Sequence, residues 1–170
     1  MNSIILKNGI YGGLIVSAGM IFVTYSMKTN PTELPSMVFG FGSMIAAFIF
    51  ILVGILQQKK ANNDVISFGA AFKTGFFIAL ITSTMYVLVW LVIYYNYFPN
   101  FIEKYSEIAF KNYPADELAT KKEEMEFYKK AYESPLGVIG LTYMEILPLG
   151  VVCSLIYAVV GAFLFKKKIL

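Results

Sequence analysis

The chain contains no histidine and no arginine, and one cysteine, Cys153, in 170 residues. Without histidine it lacks the commonest general base at neutral pH and the commonest metal ligand. Without arginine it lacks the planar fork that grips phosphate or carboxylate at two points. A lone cysteine cannot close an intramolecular disulfide, and its place inside an apolar stretch reads as an inert, packed thiol. Charge as a whole is scarce, at 15% of residues. All 14 cations are lysines, and the formal net charge of +3 is dispersed, so no nucleic-acid footprint forms. There is no glycine-rich phosphate loop, no Ser-His or Cys-His pairing, and no pair of carboxylates inside an apolar stretch. Neither an enzymatic activity nor a cofactor or bound metal is expected.

What the chain has in abundance is apolar sequence: 58% of residues, with a mean hydropathy of +0.65. Soluble domains sit nearer 45–50%. Four runs carry no charge: Asn8–Met27, Leu34–Gln58, Thr74–Ile102 and Ile146–Phe165, of 20, 25, 29 and 20 residues. About 20 apolar residues at 1.5 Å rise cross the roughly 30 Å hydrocarbon core of a bilayer. Lipid offers the backbone no hydrogen bonds, so each run should be a helix. The expected fold class is an all-α integral membrane protein, one domain with four transmembrane helices near 8–27, 35–57, 68–97 and 138–165. The first run exceeds a signal-peptide core and has no small-x-small site at its end, so it reads as a retained span. Four spans put both termini on one side. Lys7, Lys59, Lys60, Lys73 and Lys166 to Lys168 crowd the short flanks of that side, while the other side's lysines are diluted among acids. Both termini are therefore expected in the cytoplasm.

Local signals divide the spans. Asn30-Pro31 is a turn, Pro35 or Ser36 opens the second helix, Ser67 is a candidate N-cap for the third, and Pro99 marks its end. Residues 100–134 differ in kind, with six lysines, eight acids and interleaved aromatics. Ile102, Tyr105, Ala109 and Tyr113 follow helical spacing, as do Leu118, Met125, Tyr128 and Tyr132. Two amphipathic helices joined at Asn112-Tyr113-Pro114 are expected, over the mouth of the bundle or along the interface.

Lys7-Asn8-Gly9-Ile10-Tyr11-Gly12-Gly13-Leu14-Ile15 aligns with Lys73-Thr74-Gly75-Phe76-Phe77-Ile78-Ala79-Leu80-Ile81, and Val53-Gly54 before Lys59-Lys60 with Val160-Gly161 before Lys166-Lys167. Either the chain is two related helical hairpins or this is the coincidence a small membrane alphabet allows. Small residues recur every fourth position: Gly9, Gly13, Ser17 in the first helix; Ala71, Gly75, Ala79, Ser83 in the third; Gly150, Ser154, Ala158, Ala162 in the fourth; and, more weakly, Gly42, Ala46 and Gly54 in the second. Such stripes let backbones approach closely. They point to packing within the chain or, in the sharper alternative, to pairing with a second copy or another membrane protein.

Two ionisable residues stand out. Glu145 is the acid nearest the fourth apolar run, with Pro148 one turn on. Counting back from Lys166 puts it at the outer boundary, where a carboxylate facing water is the plain reading and a gate or proton site the sharper one. Lys73 lies a turn and a half into the third helix, where snorkelling to the headgroups accounts for it. Trp90, Tyr94, Tyr95 and Tyr97 read as an interfacial aromatic belt.

Ile66-Ser67-Phe68-Gly69-Ala70-Ala71-Phe72-Lys73-Thr74-Gly75, the long span after it, Pro99-Asn100-Phe101-Ile102-Glu103, Lys7-Asn8-Gly9 and the basic tail together resemble the bacterial domain of unknown function family four-one-nine-nine. The resemblance implies a small inner-membrane protein with four spans and a long loop between the third and fourth. It implies no activity, ligand or catalytic residue. The function expected is that of a non-enzymatic accessory or interaction subunit; the alternative is a small transporter or channel component. Mid-membrane polarity limited to Ser17, Ser43, Thr82, Ser83, Thr84 and Ser154 favours the first. The expected surroundings are the lipid bilayer, with no nucleic acid.

Overall fold

A polar side chain at each N-cap starts the long helices. In the computed structural model, which describes residues 2–30, 36–112, 114 and 117–164, the Asn2 side chain accepts from the Ile4 amide and Ser36 from Phe39. Ser67 accepts from Ala70, and Ser134 from Gly137 with Pro135 at the first helical position. Each cap satisfies an amide that the first turn leaves without a partner. The resulting helices are α1 (Ser3–Thr29), α2 (Met37–Ala61), α3 (Phe68–Asn96), α4 (Phe101–Asn112), α5 (Leu118–Tyr132) and α6 (Pro135–Val159), the last closed by a π turn over Val160–Leu164. All regular structure among the described residues is helical. Between α2 and α3 the chain turns through Asn63 and Asp64 at φ 54° and 64°, a left-handed conformation these two residue types tolerate.

α1, α2, α3 and α6 are the four helices long and apolar enough to span a bilayer. They overrun the charge-free stretches: α1 begins before Lys7, α2 passes through Lys59 and Lys60, and α6 begins ten residues before Glu145. Charge marks where lipid ends, not where the helix ends, because lysine stems reach outward from within a helix. Pro31, Pro35, Tyr113 and Lys166 to Lys168 lie outside the described residues.

α3 is the hub, packed against α1, α2 and α6, while α2 also meets α1 and α6. The C-terminal ends of α2 and α6 come together where the Lys59 ammonium, only 6% exposed, donates to the Gly161 carbonyl at 2.8 Å. This joins the two helix ends at what we term the lysine end of the bundle. The small residues lie at the crossings. Gly9 and Gly13 lie against Ile81 and Met85 of α3, and Gly75 against Ile51 and Ser154. Gly150 faces Ala79 and Phe48. The stripes of the two aligned segments thus meet different partners: that of α1 faces α3, and that of α3 faces α6. Two residues beyond the aligned segments, Ser17 and Ser83 are both buried, with hydroxyl oxygens that have no hydrogen-bond partner among the described residues. Gly42 points into open space on the outer face.

A side chain at Gly150 would put its Cβ 2.9 Å from both the Ala79 Cβ and the Phe48 ring. Gly150→Leu should therefore lower stability by about 1–3 kcal/mol, as overpacking does. Gly42→Ala should leave it unchanged. Thermal unfolding in detergent checks both, and equal midpoints for Gly150→Leu and the parent would contradict the packing.

Candidate functional site, a cavity beneath the helical hairpin

At the other end of the bundle lies the α4–α5 hairpin. Its three surface ion pairs, Lys104–Glu107, Lys121–Glu124 and Lys129–Glu126, are i,i+3 contacts within single helices. They contribute little and do not tie the hairpin to the bundle. Aromatic contacts do. The Phe101 ring meets Trp90 edge-on at 4.8 Å, and Tyr132 meets Tyr94 edge-on at 5.1 Å. Trp90 also donates its indole N–H to the Tyr132 hydroxyl at 3.1 Å. Edge-to-face pairs with a satisfied polar tip suit a lid that is dry inside and wet outside. Burial, chiefly, pushes the Tyr132 phenol up to about 12, so it stays neutral while it accepts from Trp90.

The belt reading of the aromatics therefore needs correcting. Trp90 is 6% exposed and Tyr94 half-buried, whereas Tyr95 and Tyr97 face outward. The i,i+4 spacing sets Trp90 and Tyr94 on one side of α3, toward the hairpin.

Under this lid all six helices line a cavity of about 350 Å³. Met20 and Met27 of α1 and Met37 and Met44 of α2 form one wall. Tyr86 and Trp90, with Phe101, Tyr105, Tyr128 and Tyr132 of the hairpin, form the other. Glu145 of α6 is the one charged residue among the described lining residues. It is exposed. The Tyr86 hydroxyl donates to its carboxylate over a long 3.4 Å. Glu145 sits ten residues into α6, about 15 Å from the helix start at 1.5 Å per residue. The helix extends past the charge-free run on the hairpin side, so Glu145 lies within α6 and not at its start. Pro148 lies inside α6 one turn on, where its missing N–H leaves the carbonyl of Met144 without its helical partner.

Below Glu145 the bundle is closed. Val16, Ala47, Phe48, Ile51, Ile78, Thr82 and Ile146 have no measurable exposure. The hydroxyls there are largely taken up by backbone: Thr82 donates to the Gly9 carbonyl at 3.1 Å and Ser154 to that of Gly150 at 2.7 Å. Lys73 is exposed, 13 residues along α3 from Tyr86 and thus about 20 Å away, so the structure does not bring it to Glu145. Gly9, Gly13, Gly75, Ala79, Gly150 and Ser154 lie between these two regions, at the crossings. Cys153 is half-buried. Among the described residues no three His, Cys, Asp or Glu side chains come together, and Glu145 by itself is a single oxygen-ligand group.

Sequence reasoning missed Tyr86 and the methionine wall. One signal was available: each of the first two spans carries two methionines seven residues apart, which is one helix face.

Four apolar helices and a covered cavity at one end define a multi-pass helical membrane protein. The chain matches the family described as "Protein of unknown function (DUF4199)" over residues 7–162 and belongs to it, as the resemblance implied. No curated protein and no solved structure matches it.

Tyr132→Phe leaves the buried Trp90 N–H without its acceptor, which costs about 1–3 kcal/mol. Amide exchange over 118–132 should then run roughly tenfold faster, since the hairpin opens as a local unit. Tyr95→Phe, on the outward side, should leave it unchanged. Identical protection in Tyr132→Phe and the parent would show that the hairpin is held by something else.

Proposed function

We propose that the chain is a non-enzymatic, membrane-embedded binding component of the kind a small transporter uses, and that its cavity takes one small amphiphile. The observation that carries this is the cavity itself. Its volume of about 350 Å³ lies at the small end of the roughly 300–1,000 Å³ typical of ligand sites, which combine apolar walls with a few polar groups. The dry layer beneath it speaks against an open ion pore. An accessory subunit acting through packing alone needs no such hollow, so the binding reading displaces that one. The lysines at the α2 end, Lys59 and Lys60, together with Lys7 and Lys73, support a bacterial inner membrane location with both termini cytoplasmic.

Orientation is tested with single cysteines at Asn63 and Ala119 in the Cys153→Ser background. The two should label from opposite sides, Ala119 from outside; labelling of both from one side would remove the four-pass arrangement.

Binding is tested with the chain's single tryptophan, because Trp90 is part of the cavity wall. The neutral probe 6-bromohexanol should quench its fluorescence saturably in detergent-solubilised protein. Gly40 lines the cavity and has nothing within 4 Å of an added Cβ, so Gly40→Phe should fill the space and weaken quenching at least tenfold without unfolding the bundle. Non-saturable quenching, equal in both proteins, would overturn the binding reading.

A further inference from the structure

We propose that the cavity selects organic cations, a substituted ammonium group carrying a short apolar tail, with Glu145 as the counter-charge and Tyr86, Trp90, Phe101, Tyr105 and Tyr132 as the aromatic enclosure. This deepens the binding reading and rests on it.

The chain carries 14 lysines, yet none is among the described residues that line the cavity. A carboxylate kept for structure in a bundle is normally paired, because an unpaired charge among apolar helices is costly, and ionisable groups within membrane helices mark substrate paths. Among the described residues the polar partner of Glu145 is the Tyr86 hydroxyl at 3.4 Å, which is too long and too weak to replace a cation. The carboxylate also remains accessible from the cavity, so a ligand can reach it. What the site lacks is a positive charge, and the chain does not supply one there.

The enclosure fits the same ligand. Aromatic faces carry negative potential and attract ammonium groups, most strongly where water is excluded. Trp90, at 6% exposure, and Tyr86, at 7%, are shielded in this way. The opposite wall is methionine: Met20 and Met44 are buried, while Met37 is 68% exposed at the mouth beside Phe41 at 52%. Thioether side chains adapt to an apolar tail of no fixed shape. The exposed mouth on α2 lies on the apolar side of the bundle, so the ammonium group arrives either on a free amphiphile or as the amine headgroup of a lipid. Both present the same chemistry to Glu145.

The test compares three probes of one length, read by quenching of Trp90: 6-bromohexyltrimethylammonium, 6-bromohexanol and 6-bromohexanoate. In the parent the cation should bind about tenfold more tightly than the alcohol, and the anion more weakly than either. In Glu145→Gln the preference for the cation should fall to near parity with alcohol binding kept, and Glu145→Asp should retain a preference. A cation no tighter than the alcohol in the parent overturns the proposal, as does a preference unchanged in Glu145→Gln. Loss of all three probes would instead overturn the binding reading beneath it, so the two failures are distinguishable. Should Glu145→Gln fail to fold, Tyr105→Leu serves: it should weaken the cation more than the alcohol, and equal weakening of both overturns the proposal. Repeating the cation titration in nanodiscs with and without phosphatidylethanolamine separates the sources. Competition by that lipid assigns the site to a headgroup, its absence to a free amphiphile, and either result upholds the cation site.

Discussion

Inside lipid, helices gain nothing from hiding apolar side chains from one another, so they associate only where backbones come close enough for dense contact. In this chain that requirement is concentrated on α3. Its small face at Gly75 and Ala79 receives Ser154 and Gly150 of α6, while Ile81 and Met85 lie over Gly9 and Gly13 of α1. The large apolar residues turned away from these seams, such as Leu14, Phe22, Val38 and Leu88, are more than half exposed. That is the surface a bilayer covers. The close crossings run from the lysine end through the middle, and between α1 and α2 as far as Gly19 against Ser43. Beside them the helices carry Met20, Met44, Tyr86 and Trp90, and the cavity lies there.

The division between a tight half and a hollow half gives the hairpin its role. Four helices that separate at one end leave backbone and side chains exposed to whatever lies above. α4 and α5 cover that end through Phe101, Tyr105 and Tyr132, and their charged faces stay outside. Ion pairs on the hairpin are local to each helix, so it is held by those aromatic contacts and by the buried Ile102, Ile108, Ala109 and Met125. A hairpin packed only over one end of the bundle opens more readily than a helix packed along its length, which widens a cavity whose mouth beside Met37 is already exposed.

Much of the fold was legible because membrane helices obey few rules. The absence of charge from four runs, Ser67 as a cap, the paired amphipathic pattern after Pro99 and the four-residue spacing of glycines each follow from a local constraint that sequence expresses directly. The boundaries were less legible, since Lys7, Lys59 and Lys60 are inside helices whose side chains reach out. The site was hardest to read. Tyr86 and Glu145 are 59 residues apart, and Trp90 and Tyr132 42 apart; neither pair shares a motif. Only the packing of α3 against α6, and of α5 over α3, sets them side by side.

Glu145 shows why a helix end cannot be read from charge alone. Counting apolar residues back from the basic tail stops at the first acid. α6 carries ten further residues, among them Leu136, Val138 and Ile139, on the hairpin side of the carboxylate. A glutamate within such a helix has to face water, a polar partner, a counter-ion or an internal space. Glu145 is exposed and faces the cavity, with the Tyr86 hydroxyl as a weak contact, and the aromatic walls around that space favour positive charge. The same geometry that sets Glu145 within α6 therefore makes it the one charged group among the described lining residues.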